Sequence, residues 1–317
     1  MVQLRVRSVT YEAEGIHSFE LVHPSGEELP PFTAGAHLDV HVPGGLVRSY
    51  SLCNASTERH RYQIAVLHVL DGRGGSRSMH QAVRTGDTIV VSEPRNQFPL
   101  SDAAERHLLI AGGIGITPLL SMLETLKARG ADFEFHYCTR SLERTAFVDR
   151  LQALRQHGSV SIHHDQGDPA RGLDIGALLK THQPGTHLYF CGPAGFMEAA
   201  RRGSAHWPRD SVHFEYFVAP AAAPVAGGTA REIYKVRIAS KGCELDVPAG
   251  RSILEVLRAA GIQCESSCEA GICGTCRTRY LDGEPEHNDM VLTDDERGEY
   301  VMICCARSRS EVLTLDL

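Results

Sequence analysis

Residues 266–280 read SSCEAGICGTCRTRY. Cys268, Cys273 and Cys276 stand in a C-x4-C-x2-C run, and Cys304 follows after 27 intervening residues. That is the ligand spacing of a plant-type [2Fe–2S] cluster. A structural zinc takes two short knuckles instead, so the x4-then-x2 pattern favours iron–sulfur. Gly271 and Gly274 let the loop wrap closely and leave N–H groups free to donate to cluster sulfurs. Six of the ten cysteines crowd into the last sixth of the chain: Cys264, Cys268, Cys273, Cys276, Cys304 and Cys305. Such crowding in a reducing compartment suggests a redox site rather than disulfides. Cys304 and Cys305 are adjacent, and spacing barely separates them as the fourth ligand. Cys264 lies too close upstream to fit and reads as a small buried hydrophobe.

Working outward, the cysteine run lies in a unit at 231–317. YKVRIASKGCELDV reads as a hairpin. SILEVLRAAG reads as a helix with Ser252 as N-cap and Gly261 as its stop. Thr293 and Glu296 have the spacing of a capping box. Strand, strand, helix, cluster loop and further strands fit an α+β β-grasp ferredoxin fold. The unit holds 11 Lys and Arg against 16 Asp and Glu, a net of −5. Such a face is either simply solvated or a docking surface for a basic partner. Upstream, VAPAAAPVAGGTA has no periodicity, and 219–230 reads as a linker.

Before the linker, two rhythms alternate. Up to residue 100, short β runs (LRVRSVTYE, HSFELVH, HLDVHV, RSYSLCN, YQIAVLHVL, DTIVVSE) are broken by Gly, Pro and Asn. That spacing predicts an antiparallel barrel or sandwich. Over 101–222, strands HLLIA, FEFHYC, VSIHHD and HLYFC alternate with helical segments, which predicts an α/β domain on a parallel sheet. HLLIAGGIGITP is strand, Gly-rich turn, helix. Gly112, Gly113 and Gly115 are expected to leave room for a ligand, with Thr117 as N-cap and Pro118 at the first helical position. The helix start then favours a phosphate. HLYFCGPAGF repeats the pattern at Gly192-Pro193. Asp165, closing VSIHHD, can accept from ribose hydroxyls and would repel the extra phosphate of NADP; Arg140 pulls the other way. In the β domain, Arg48 can pair with a phosphate, Tyr50 offers a flat face and Ser51 a hydroxyl. GRGGS at 72–76 can form an anion nest.

Composition sets the limits. The chain has 317 residues, 42% hydrophobic and 22% charged, which excludes disorder and fibrous classes. Its net charge of −7 argues against nucleic-acid partners. No apolar run is long enough to span a bilayer, so no membrane partner is expected. MVQLRVRSVTYEAEG lacks a signal-peptide core, so a cytoplasmic location is expected.

Four motifs, RSYSLCN with GRGGS, AGGIGITP, YFCGP and CESSCEAGICGTC…MICC, occur in one order across essentially the whole chain. Together they resemble the phthalate dioxygenase reductase family, which places its ferredoxin domain last. IHHDQGDP, HWP, VHFE and HNDMVL resemble it too. The resemblance implies FMN in the barrel, NADH in the middle domain and [2Fe–2S] in the tail; no adenine-stacking extension is seen, which favours FMN over FAD. By motif position, Arg48, Tyr50 and Ser51 would contact FMN. Gly75 and Ser76 would hold its phosphate, and the backbone from Val66 to His68 would edge the ring. Gly113, Gly115, Asp165, Cys191, Gly192 and Pro193 would serve NADH. Thr117 would lie near the reactive edge of the flavin, and Phe217 would cover the ring where nicotinamide stacks. Cys268, Cys273, Cys276 and Cys304 would ligate the cluster.

The implied activity is electron transfer from NADH through FMN and the cluster to a terminal Rieske non-haem iron oxygenase or demethylase, by a monomer. The flavin is needed because NADH gives two electrons and the cluster accepts one. The rival enzyme readings are a reductase for another monooxygenase or cytochrome P450, or a broad diaphorase. A non-catalytic redox sensor is the rival from another class.

Overall fold

The computed structural model describes residues 1–72, 74–217, 233–266, 269–271 and 274–317. It falls into two compact units, Met1–Phe217 and Val218–Leu317. The expected linker at 219–230 lies outside the described residues.

The first unit opens with strands β1 (Val2–Ala13), β2 (Ile16–Val22), β3 (Ala36–Val42), β4 (Leu46–Ser51) and β5 (Tyr62–Leu67). Helix α1 (Gly75–Ala82) and strands β6 (Thr88–Val91) and β7 (Arg95–Asn96) follow. The strands form one antiparallel sheet in the order β4-β3-β6-β1-β2-β5, with β7 beside β3. A bridge from Leu52 to Ile64 joins the two ends, so the sheet curls into a barrel. Inward residues alternate along each strand, as in Phe19 and Leu21 or Leu38 and Val40, all fully buried. GRGGS behaves differently from a simple turn. Gly74 has φ 89°, and helix α1 starts directly after it. Met79 is fully buried in the barrel core, and that packing holds a helix its polar sequence does not announce.

The second sheet alternates with helices: β8 (Arg106–Gly112), α2 (Ile116–Arg129), β9 (Phe133–Thr139), α3 (Val148–Leu154), β10 (Ser159–His164), α4 (Ile175–Leu178), β11 (Thr186–Cys191), α5 (Ala194–Gly203) and β12 (Val212–Glu215). All its strands are parallel, in the order β10-β9-β8-β11-β12. Both faces are covered. Leu109 and Tyr189 meet α2 and α3 on one side, and Leu108, Leu188 and Phe190 meet α4 and α5 on the other. Period-2 strands buried on both sides explain the continuous apolar runs. The core on the α2 side also takes Ala13, Ile16, Cys53 and Ala65 from the barrel strands and loops. The two sheets therefore share one core across residue 100.

One expectation is corrected here. Thr117 is not an N-cap. A single 3-10 turn at Gly113–Gly115 already coils the chain into α2, so the helix begins at Ile116 with Gly115 as its cap. The Thr117 hydroxyl instead donates to the Ile114 carbonyl at 3.0 Å. Pro118 still sits in the first turn, where a missing N–H costs nothing.

The second unit comprises β13 (Tyr234–Ile238), β14 (Cys243–Val247), α6 (Ile253–Ala259), β15 (Arg277–Asp282), β16 (Pro285–Glu286), β17 (Tyr300–Met302), β18 (Arg307–Ser308) and β19 (Val312–Leu315). The main sheet runs β14-β13-β19-β15-β17, while β16 pairs with β18. β13 and β14 form the expected hairpin, and β13 runs parallel to β19. Helix α6 packs on this sheet through Ile253, Leu254 and Leu257. Its start is a full capping box: the Ser252 hydroxyl accepts from Glu255 N at 3.1 Å, and Ser252 N donates to the Glu255 carboxylate at 2.8 Å. Thr293 and Glu296 make the same reciprocal pair ahead of a 3-10 turn.

Candidate functional site

From β8 the chain moves to β9 and β10 on one side and returns to β11 on the other. The crevice at the carboxyl ends of β8 and β11 is thus the topological switch point, where ligands of such sheets bind. The turn after β8 and the Gly192-Pro193 turn meet there. A Cβ on Gly115 would lie 2.2 Å from the Cys191 carbonyl oxygen and 2.8 Å from Gly192 N. A Cβ on Gly112 would meet Pro193 Cδ at 2.8 Å. Gly112 and Gly115 therefore let one turn pack on the other. Of the three glycines, Gly113 alone faces open space. Pro193 precedes α5, whose first-turn N–H groups have no side-chain cap. Thr117 is buried beside this turn, and Phe217 packs against the shared core.

Asp165 sits at the carboxyl end of β10, on the far side of β9 from the switch point. Its carboxylate accepts from Gly167 N at 2.8 Å, an Asx turn that occupies one oxygen. Asp165 N and Gln166 N donate to the Thr139 and Arg140 carbonyls. Asp165 and Arg140 are thus neighbours, as the opposing readings of their charges require.

On the barrel side, Arg48 lies against the start of α1. A Cβ on Gly75 would come within 2.5 Å of Arg48 Cγ and 2.9 Å of its Nε. Only a glycine lets the guanidinium side chain reach the uncapped N-terminus of α1. Ser76 Oγ accepts from Val69 N at 3.1 Å, which leaves its proton to donate elsewhere. Backbone N–H groups, a helix N-terminus, a hydroxyl and an arginine together suit the phosphate of FMN. Arg73 lies outside the described residues. Burial pushes the Tyr50 phenol up to about 12, although the nearby Arg48 pulls it down, so it stays a neutral donor. Two backbone groups expected at the flavin edge are engaged within the barrel. The Val66 carbonyl accepts from His80 Nε2 at 2.8 Å, and His68 N donates to the Gly15 carbonyl at 2.8 Å. Val66 is buried; His68 stacks on His80, and the buried His68 Nε2 has no hydrogen-bond partner among the described residues.

Two residues at this junction were not singled out in the sequence. Glu215 closes β12, opposite Cys191 in register. The Ser51 hydroxyl reaches across from the barrel and donates to Glu215 Oε2 at 3.3 Å. His37 Nδ1 stands 3.9 Å from Glu215 Oε1. Burial pushes the Glu215 carboxyl up to about 8, against the pull of Ser51, so it is an acid at neutral pH. Burial, and then Glu215, hold the Cys191 thiol well above its usual range. The only local signal was a carboxylate ending the strand VHFE.

In the second unit, Cys276 and Cys304 are buried, while Cys268 and Cys273 lie outside the described residues. Gly271 N donates to Cys304 Sγ at 3.2 Å. Hydrogen bonds from Cys276 and Cys305 hold the Cys304 thiol below its usual range. Cys305 is held well above its usual range by its bond to Cys304, and its Sγ lies 3.6 Å from the Met302 carbonyl as donor. Cys304 is thus the sulfur that gathers donors, as a thiolate ligand does. Cys264 is half-buried against the core, as a small hydrophobe.

A flavin barrel, a nucleotide-binding parallel sheet and a cysteine-lined β-grasp unit together define a flavin- and iron–sulfur-dependent oxidoreductase. The family model for a 2Fe-2S iron-sulfur cluster binding domain matches residues 236–309. A model for the N-terminal domain of dimethylamine monooxygenase subunit DmmA-like proteins matches residues 89–207. Phthalate dioxygenase reductase of Burkholderia cepacia is 47% identical over 319 residues, spanning 100% of this chain and 97% of that protein. A solved structure of phthalate dioxygenase reductase, described as modular for electron transfer from pyridine nucleotides to [2Fe–2S], superposes with a TM-score of 0.77 at 46% identity; the match covers 100% of this chain and 98% of that one. An intact type IV self-sufficient cytochrome P450 monooxygenase matches with a TM-score of 0.85 at 39% identity, over 100% of this chain and 41% of its own. The chain belongs to the phthalate dioxygenase reductase family, whose members carry FMN and [2Fe–2S] and use a pyridine nucleotide. Among the described residues no helix is long and apolar enough to cross a membrane.

Proposed function

We propose that this chain draws electrons from NADH and delivers them to a separate Rieske-type oxygenase or demethylase. The observation that carries this reading is the junction where Ser51 of the barrel meets Glu215 of the nucleotide sheet, beside the switch point. The grouping of Arg48, Gly75 and Ser76 on the same unit as the nucleotide crevice supports it. FMN supplies the exchange between two-electron and one-electron carriers, and the cluster supplies the one-electron outlet.

The chain's own residues do the positioning. Arg48 and the α1 N-terminus hold an anion. Tyr50 and Phe217 offer flat faces, and Gly113 leaves room for the nucleotide. Glu215, whose burial favours the neutral carboxyl, would keep negative charge away from the nucleotide crevice. Cys276, Cys304 and the two cysteines outside the described residues supply four thiolates, and Gly271 N–H supports one of them. Asp165 favours NADH over NADPH by repelling a 2′-phosphate.

A reductase for a cytochrome P450 is the second reading. The likeness to part of a self-sufficient P450 monooxygenase favours it. The two differ in partner alone, and reduction assays with each kind of acceptor separate them.

The deciding experiment is an anaerobic absorbance spectrum before and after NADH, repeated with NADPH. Overlapping flavin and iron–sulfur bands that bleach quickly with NADH alone are expected. A flavin spectrum with no iron–sulfur contribution, in protein kept anaerobic throughout, would reduce the reading to a simple flavin reductase.

A further inference from the structure

His37 is 4% exposed, and among the described residues neither ring nitrogen has a hydrogen-bond partner. A buried imidazole with both nitrogens unmet is costly unless something uses it. Its surroundings show what could. His37 is the cross-strand neighbour of Ser51 on β4 and of Arg95 on β7. Its Nδ1 lies 3.9 Å from Glu215 Oε1, while Ser51 donates to the other oxygen, Oε2. Two barrel residues, from β3 and β4, thus converge on the one carboxyl group that closes β12. The other charged groups around His37 are Asp39 on its own strand, which favours the imidazolium, and Arg95, which opposes it. Arg95 is itself paired with Asp39, so the two largely offset each other.

We infer that His37 is the proton partner of Glu215, fixing the carboxyl proton on Oε1 and so setting which way the Ser51 hydroxyl points. The proton sits between Oε1 and Nδ1, and closing the gap to hydrogen-bond length takes about 1 Å of movement. With Oε1 protonated, Oε2 is left as a bare acceptor. Ser51 then turns its proton inward to Oε2 and presents an oxygen lone pair outward. No electron or other bond changes in this step. His37 acts through Glu215 and Ser51, so it is a positioning residue. It rests on the proposed reductase reading only in taking the outward face of Ser51 as the flavin side.

The test is infrared spectroscopy of the full flavin-loaded chain in the carboxylic C=O region, with the band assigned by its loss in Glu215→Gln. Wild type should show a protonated carboxyl at pH 7, hydrogen-bonded and therefore low in frequency. His37→Leu should move that band to higher frequency and shift its titration midpoint. His37→Gln, which restores an acceptor, should return it towards the wild-type position and serves if the Leu variant does not fold. A band at one frequency in wild type and variants, or no protonated carboxyl in wild type at pH 7, overturns the inference. Bleaching by NADH, measured on the same wild-type sample, tests the reductase reading separately. Bleaching with an unmoved band refutes the pairing alone.

Discussion

Glu215 and His37 are displaced in opposite directions by the same burial, and stability should carry both signatures. Glu215 is raised to about 8 from an ordinary 4.5. Its contribution is complete below 4.5 and is lost as pH rises through 8. His37 is lowered to about 4 from 6.5, so its contribution is lost as pH falls from 6.5 to 4. Above pH 6.5 Glu215 is the one of the pair still titrating. Unfolding free energy should therefore drop by about 2 kcal/mol between pH 6.5 and 8 from this group. Urea denaturation at both pH values should show the drop in wild type and its absence in Glu215→Gln; equal slopes in the two proteins would place an ionised carboxylate in the fold. Cys273 allows a cleaner separation. Cys273→Ser should spare NADH oxidation with ferricyanide, which the flavin alone can reduce, and abolish cytochrome c reduction. Survival of both activities would mean that electrons leave by a route other than the cluster.

At the scale of elements, the two turns at the switch point act as one packed unit. Gly115→Ala would drive a methyl into the Cys191 carbonyl and Gly192 N, both backbone atoms with no rotamer to yield. The expected cost is about 1–3 kcal/mol of stability, with weakened nucleotide binding in whatever folds. Gly113→Ala meets no neighbour, although its φ of 53° makes it mildly strained. Thermal melts and NADH titration of the two variants should rank Gly115→Ala as the more damaged; the reverse order would mean that strain outweighs packing here. Helix α1 shows the converse lesson. Its eight residues, GSRSMHQA, are mostly polar and follow a Gly-rich turn, so the helix was not legible in the sequence. Met79 in the barrel core and the His80 bond to Val66 supply the reason it forms.

At the scale of the whole molecule, the excess acid of residues 231–317 bears on the partner. If that net −5 faces a basic oxygenase surface, electron delivery to the partner should slow several-fold between about 0.05 and 0.5 M salt, because exposed charges are screened beyond about 10 Å at 0.1 M. Stopped-flow reduction of the partner at graded salt measures it. A flat profile would leave the acidic face as solvation alone.

What the chain's order of residues determined by itself was everything carried by neighbours along it. The cluster spacing lies within nine residues plus one distant cysteine. Strand alternation has a period of two, and the Ser252 and Thr293 caps span four residues each. These are short-range rules, and short-range rules are written locally. The tertiary structure alone decided the rest. Ser51 and Glu215 are 164 residues apart and meet because two sheets share a core. His37 joins them because β3 pairs with β4. Gly115 is confined by a turn some 76 residues downstream, so what looked like room for a ligand is room for Cys191. No local pattern encodes such meetings, because burial of one shared apolar core brings them about.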